Sequence, residues 1–173
     1  MNIFMTSMCP RKSAEALPRV LCTKMILESA QLLCTAHRVI DGDAEGDRHG
    51  LYKKTHMNHP CSIFVRDSIE SYFWTYLNFK FLCERFENYA GKKHKTSLWL
   101  DFLSNAPKKL STTKKFEPVA VVPQEMKENT IEVAYRQYLN YKFLEWQSRE
   151  KPVKIEYPDV EPPHWLSPNI KIL

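Results

Sequence analysis

The stretch RVLCTKMILESAQLLCTAHRVI, residues 19–40, decides the fold of this chain. Its apolar side chains cover most of the circumference of a helix, which is typical of a helix buried at the centre of a domain. Asp41 and Gly42 end the pattern. The sequence therefore predicts an all-α protein, a compact bundle built around a buried central helix.

A polar stripe interrupts this apolar helix. Lys24, Glu28, Gln31, Thr35 and Arg38 recur at steps of four, three, four and three residues, so they share one narrow face. The stripe suits the floor of a cleft, where Glu28 would act as an acid or base and the two cations would hold phosphate. The alternative is a strip of helix that simply meets solvent, with an ordinary i,i+4 pair between Lys24 and Glu28.

The rest of the chain predicts further helices and two irregular segments. Asp41–Gly50 is expected to be a polar loop, and a second long helix is expected from Cys61 to Ala90, capped by Asn58 and ended by Gly91. Thr96 can cap a short helix. Residues 105–128 favour an extended connection with room for one short strand at 119–122, and Asn129 with Glu132 predicts a helix to about Arg149.

Composition excludes several classes of protein. The 173 residues, 43% hydrophobic and 12% aromatic, fit one helical domain at 1–150, with 151–173 as a proline-rich C-terminal arm that packs on it. Only 4 glycines and no glycine-rich motif argue against a phosphate loop or a dinucleotide fold. Five widely spaced cysteines without a C-x-x-C pair predict free thiols, and no segment reads as a secretion signal or membrane span. We expect a cytoplasmic protein without a membrane partner.

Two basic features point to an anionic partner. Between residues 92 and 115 there are seven lysines against one acid, Asp101; Lys92, Lys93 and Lys95 belong to this run, and Lys53 with Lys54 forms a similar pair. Such loops fit contacts to a nucleic-acid backbone, although lysine-rich loops are equally common as solubilising surface.

Histidines mark the start of the second predicted helix. His56, His59 and Ser62 surround a predicted helix N-terminus, where a phosphate can bind, although plain capping and loop structure would explain them too. With Cys61 or Glu28, the two histidines could instead ligate a metal, but no second ligand cluster accompanies them, and we expect no metal.

Several stretches resemble a family of small proteins encoded by tailed phages. The stretches that carry the resemblance are Met1–Phe4, Lys24–Leu33, Thr35–Arg38, His56–Ser62 with Arg66, Tyr89–Lys95, Tyr135–Tyr138 and Pro163–Trp165. This family is in turn similar to the pyrimidine-dimer DNA glycosylases of the phage endonuclease V type.

The resemblance implies a compact helical enzyme that needs no cofactor and acts on DNA in the host cytoplasm, with association with the virion left open. It implies the Met1 amine as nucleophile, since Asn2 is too large for usual removal of Met1, and Glu28 as the essential carboxylate. DNA contacts would come from Arg38, His59 and Arg66. Phage relatives carry Cys-Asp-Lys-His where this chain has Pro18–Leu21, so a catalytically degenerate relative is one alternative. A non-catalytic phage accessory or structural module that binds nucleic acid or a phage or host protein is the other.

Overall fold

The central helix has the predicted bounds. The computed structural model describes residues 1–127 and 129–173, and in it α2 spans Arg19–Ile40. Most of its apolar side chains are buried, including Leu21, Ile26 and Leu33, while Val20, Leu27 and Val39 are exposed. No side chain caps its start; instead the Arg19 N–H donates to the Glu156 carbonyl at 2.8 Å, so the C-terminal segment closes this end of the helix.

Six other α-helices surround α2 within the described residues. Their bounds are α1 Pro10–Glu15, α3 Asp43–Arg48, α4 Pro60–Val65, α5 Ile69–Ala90, α6 Leu100–Leu103 and α7 Ile131–Gln147, with 3-10 turns at Lys95–Trp99 and Gln124–Met126. The other long helix, α5, packs on both α2 and α1. Over the described residues the prediction of an all-α fold is confirmed: no strand occurs, and a single isolated parallel bridge joins Ile155 to Ile172.

The prediction of one continuous helix over 61–90 is wrong, because residues 66–68 are not helical and separate α4 from α5. Ser68 Oγ accepts a hydrogen bond from Ser71 N at 3.1 Å and starts α5 as a new helix. His59, not Asn58, caps α4, and Pro60 occupies its first turn. Gly91 ends α5 with φ 64°, as its position predicted.

Other local predictions also need correction. The segment predicted as a loop, Asp41–Gly50, contains α3. The residue that caps α7 is Thr130, whose hydroxyl accepts from Val133 N, so the Asn129–Glu132 capping box does not form. His94 rather than Thr96 caps the 3-10 turn. The connection predicted at 105–128, of which residue 128 lies outside the described residues, has no strand at 119–122.

The two ends of the chain complete the core around α2. From the N-terminal segment, Ile3, Phe4 and Met5 are buried in the same cluster as α2, and from the C-terminal segment Ile155 and Ile170 join it. In the described part of the chain, no helix has the length and apolar character needed to cross a bilayer.

Candidate functional site

Asn2 fixes the first residues of the chain. Its Nδ2 donates to the Val121 carbonyl at 3.0 Å, while its Oδ1 accepts from the Tyr135 hydroxyl at 2.8 Å and from Ile3 N at 2.8 Å. Phe4 stacks on Tyr138 with ring centroids 6.3 Å apart. Because these contacts tie Asn2 to α7 and to the segment before it, the α-amine of Met1 is held in a defined place.

That place is beside Glu28. The Met1 nitrogen lies 3.8 Å from Glu28 Oε2, and the same oxygen accepts a hydrogen bond from Asn2 N at 3.2 Å. On the other side Lys24 Nζ lies 3.4 Å from Glu28 Oε1. The Glu28 side chain is only 15% exposed, so this end of the polar stripe faces the chain's first residues rather than open solvent.

Met1, Lys24 and Glu28 line a shallow cleft of about 220 Å³. Two residues that were not predicted as site residues, Tyr138 and Lys142, line the same cleft from α7. Neither has a spacing or motif that links it to Glu28, more than 100 positions earlier. The sequence feature that could have indicated them is the presence of polar side chains on the inner face of α7.

Lys142 is set apart from the surface lysines by its surroundings. Its ammonium lies 4.8 Å from the centroid of the Trp146 ring and 5.6 Å from that of Tyr138, as in cation–π contacts. Burial lowers the pKa of Lys142, and the positive charge of Lys24 lowers it further, although Glu145 opposes the shift. A lysine in such surroundings gives up its proton more readily than a solvated one.

The balance of charge around the cleft is positive. Three cationic groups, the Met1 amine and the side chains of Lys24 and Lys142, surround the single carboxylate of Glu28. Glu28 can neutralise only part of that charge. The cleft therefore has the charge that attracts an anionic ligand, such as a phosphodiester.

His59 borders this charge cluster. Burial lowers its pKa, the positive charges of the N-terminal amine and of His56 lower it further, and Glu28 acts in the opposite direction. Its Nδ1 accepts from Cys61 N at 3.2 Å, so the neutral ring carries its proton on Nε2. His59 thus presents a neutral N–H donor near the amine, while neighbouring His56 is exposed, with a left-handed φ of 48°.

Arg66 lies one turn after Ser62, at the end of α4. One of its terminal nitrogens donates to Ser62 Oγ at 3.0 Å, and partial burial lowers its pKa, with only Asp67 opposing the shift. No ion pair to Arg66 is formed among the described residues. A partly desolvated guanidinium in that state can donate to a phosphate oxygen.

The structure contradicts the predicted contact between Arg38 and phosphate. It gives this side chain a structural role instead. Its side chain is 1% exposed, and its guanidinium donates to the carbonyls of Tyr52 at 2.7 Å and Leu51 at 2.7 Å. It also pairs with Asp43 and Asp47 of α3, at 3.5 and 2.9 Å. Since α3 and the following segment cover this end of the polar stripe, Arg38 fastens them to α2.

The predicted lysines divide into two groups. Lys53 and Lys54 form ion pairs with Asp47 and Asp43, at 2.6 and 2.7 Å, so they belong to the network around Arg38. By contrast Lys92, Lys93 and Lys95 are exposed just after α5, and within the described ranges they take part in no ion pair. Of these five lysines, the second group is the one whose charge no acid compensates.

The metal hypothesis finds no support in the geometry. Across residues 1–127 and 129–173, no three His, Cys, Asp or Glu side chains come together as metal ligands. All five cysteines are free thiols, as predicted. Burial raises the pKa of Cys22, Cys34 and Cys61 to about 11, which leaves them protonated and unreactive near neutral pH.

Comparison of the chain with protein-family models, with characterised proteins and with solved structures finds no match. The candidate site is therefore described by its own geometry.

Proposed function

We propose that this chain acts on DNA as a glycosylase with an associated lyase step, in the manner of the phage pyrimidine-dimer glycosylases that its sequence resembles. The observation that carries the proposal is the distance of 3.8 Å between the Met1 amine and Glu28 Oε2 at the edge of a cationic cleft. A primary amine beside a carboxylate supplies a nucleophile and the base that activates it.

In the proposed reaction the Met1 nitrogen attacks C1′ of the damaged nucleotide. The C1′–N bond to the base breaks, the base leaves with the bonding electrons and takes up a proton, and Glu28 accepts the proton that the amine loses. Glu28 then returns that proton to O4′ as the C1′–O4′ bond opens, which gives a protonated Schiff base. The regenerated Glu28 carboxylate accepts a proton from C2′, and the electrons of that C–H bond form the C2′–C3′ double bond as the 3′-phosphate leaves, which cuts the strand.

The remaining side chains of the cleft would bind the DNA. Lys24 and Lys142 would contact phosphates beside the damaged nucleotide, and His59 would donate from Nε2 to a sugar or phosphate oxygen. Arg66 and the exposed lysines Lys92, Lys93 and Lys95 would extend the contact along the backbone. We include in the same proposal a phage-encoded protein that works in the host cytoplasm without a cofactor, with a role in the virion as the alternative location.

The test is covalent trapping with borohydride, which reduces the Schiff base to a stable amine. Duplexes that contain an abasic site or a thymine dimer are incubated with the protein and reductant, and the adduct is mapped by mass spectrometry. We expect an adduct at Met1, and a loss of about 100-fold or more in trapping rate for Glu28→Gln. The intact mass of the purified protein, measured before trapping, shows whether Met1 is retained and so which residue carries the free α-amine.

The matched control is Glu84→Gln. Glu84 lies on α5, pairs with Arg11 and Lys80 and does not line the cleft. This variant should trap at the rate of the unmodified protein. Adducts at Lys24 or Lys142 alone would overturn the role of Met1, and no adduct on either duplex would overturn the glycosylase proposal.

A non-catalytic nucleic-acid-binding module is the second candidate, and the exposed lysines after α5 favour it. Its signature is DNA binding that weakens as salt rises, without an adduct. Changing Lys92, Lys93 and Lys95 together to glutamine should reduce the slope of log K against log salt by roughly 0.9 for each phosphate that the protein no longer neutralises. Salt-independent association with a phage or host protein would instead favour a structural role.

A further inference from the structure

A second cavity lies on another side of the N-terminal segment. It has a volume of about 370 Å³, within the size range of small-molecule sites, and it shares no lining residue with the cleft at Glu28. Its walls come from the N-terminal segment, α1, α7 and the C-terminal segment. The lining residues include Thr6, Lys12, Glu15, Arg136, Glu161 and Trp165.

Arg136 is the first sign of a ligand. Its Nε donates to the Thr6 carbonyl at 2.9 Å, which fixes the guanidinium against the wall. Its two terminal nitrogens form no hydrogen bond or ion pair within the described residues, although Glu15 and Glu161 line the same cavity. A guanidinium fixed at Nε keeps a fork of N–H donors for a planar or tetrahedral oxyanion.

Thr6 is the second, independent sign. The residue is 1% exposed, and its hydroxyl oxygen has no hydrogen-bond partner in the part of the chain that the structure describes. Buried hydroxyls are nearly always hydrogen-bonded, since leaving one without a partner is unfavourable. This unpaired hydroxyl belongs to a residue that lines the cavity and whose carbonyl holds Arg136, so an unsatisfied polar group lies in the wall beside the guanidinium.

The other lining residues indicate which further chemical groups the ligand carries. Lys12 adds an exposed ammonium to the guanidinium side, and Trp165 adds an aromatic surface on which a flat ring can stack. Glu15 and Glu161 would repel a bare anion, so the ligand must also carry hydrogen-bond donors such as amino or hydroxyl groups. Phosphate, a flat ring and donor groups occur together in a nucleotide.

We propose that this cavity binds a single nucleoside monophosphate, with its phosphate on Arg136 and Lys12 and its base against Trp165. The site is independent of the reaction at Met1. The same chemistry is offered by a free mononucleotide and by the 5′-phosphate end of a DNA strand.

Calorimetric titration of the full chain tests the site. The probes are dAMP, TMP, the matching nucleosides, inorganic phosphate, and a short single strand with and without a 5′-phosphate. We expect one nucleotide per chain, with the nucleoside and phosphate alone each at least about tenfold weaker. Tight binding of the phosphorylated strand only would identify the strand end as the source, and tight binding of the free nucleotide would identify the small molecule.

Variants locate the binding in the cavity. Arg136→Gln should weaken nucleotide binding about tenfold or more, and Trp165→Leu should weaken nucleotides and nucleosides alike. The control is Arg149→Gln, an exposed arginine just after α7 that pairs with Glu145 outside the cavity. Should Arg136→Gln fail to fold, exposed Lys12→Gln must still weaken the nucleotide more than the nucleoside. Absence of nucleotide binding at millimolar concentration, or equal binding by Arg136→Gln, overturns the proposal, while the trapping result at Met1 stands or falls separately.

Discussion

Replacing Asn2 with alanine is expected to loosen the α-amine of Met1 while the helices stay in place. The change removes three side-chain hydrogen bonds, one to the Val121 carbonyl and two from the Tyr135 hydroxyl and Ile3 N, as well as a weaker one from the Cys61 thiol. At about 1 kcal/mol net for each bond, the free energy of unfolding should fall by about 2–3 kcal/mol, since the Tyr135 hydroxyl keeps the Val119 carbonyl as an acceptor. A shift of the amine by roughly 1 Å should slow trapping about 100-fold.

Asn140→Ala is the matched control. Asn140 also forms three hydrogen bonds, to the carbonyls of Arg136 and Trp165 and from Ser167 N, but it does not line the cleft at Glu28. Urea denaturation should show a similar loss of stability in both variants, while borohydride trapping should slow only in Asn2→Ala. Equal trapping rates in the two variants would refute the idea that Asn2 positions the amine.

Three further predictions concern stability. Gly46→Ala should destabilise the protein by about 2–3 kcal/mol in urea denaturation, because the added Cβ would lie 2.5 Å from Arg38 Cγ; a change below about 0.5 kcal/mol would mean that Arg38 can move aside. Asp159→Asn should cost about 3 kcal/mol, because it leaves the buried Arg85 guanidinium, now 2.9 Å from Asp159, without its counter-charge; unchanged stability would contradict this pairing. Burial lowers the pKa of His37 in the folded protein below its ordinary value of 6.5. The stability that the neutral ring contributes should therefore be present above pH 6.5 and be lost as the pH falls through the pKa of the folded state. The melting temperature of His37→Gln should then depend less on pH between about 7 and 5 than that of the unmodified protein.

The sequence predicts long regular features better than their interruptions. Helix α2 could be predicted to the residue because its apolar pattern and its Asp41–Gly42 end agree. The break before α5 is hidden because the apolar spacing runs through it from Val65 to Ile69, while Ser68 gives the only contrary signal. Helix α3 is hidden because Gly46 disfavours a helix, and the side chain that fills its empty space, Arg38, comes from another helix.

The candidate site was predictable in part for the same reason. Lys24 and Glu28 follow from helical spacing, and the proximity of Met1 to Glu28 was an expectation of the resemblance alone. No sequence pattern gave Lys142 or Arg136 a role in a site, since both reach their cavities from α7 by tertiary packing. The spacing predicts that Glu28 and Arg38 share one open face, but α3 covers Arg38, because periodicity locates a side chain on a face and says nothing about the segment that covers that face.

The participation of both chain ends in one core has a consequence for synthesis on the ribosome. Ile3 and Met5 share a cluster with Ile155 and Ile170, which follow them in the sequence by 150 residues or more. A nascent chain can form α2 and α5 early, yet its apolar surface stays incompletely covered until translation has passed residue 170. Stalled or prematurely terminated products should therefore be prone to aggregate and to chaperone capture, far more than their helical content would suggest.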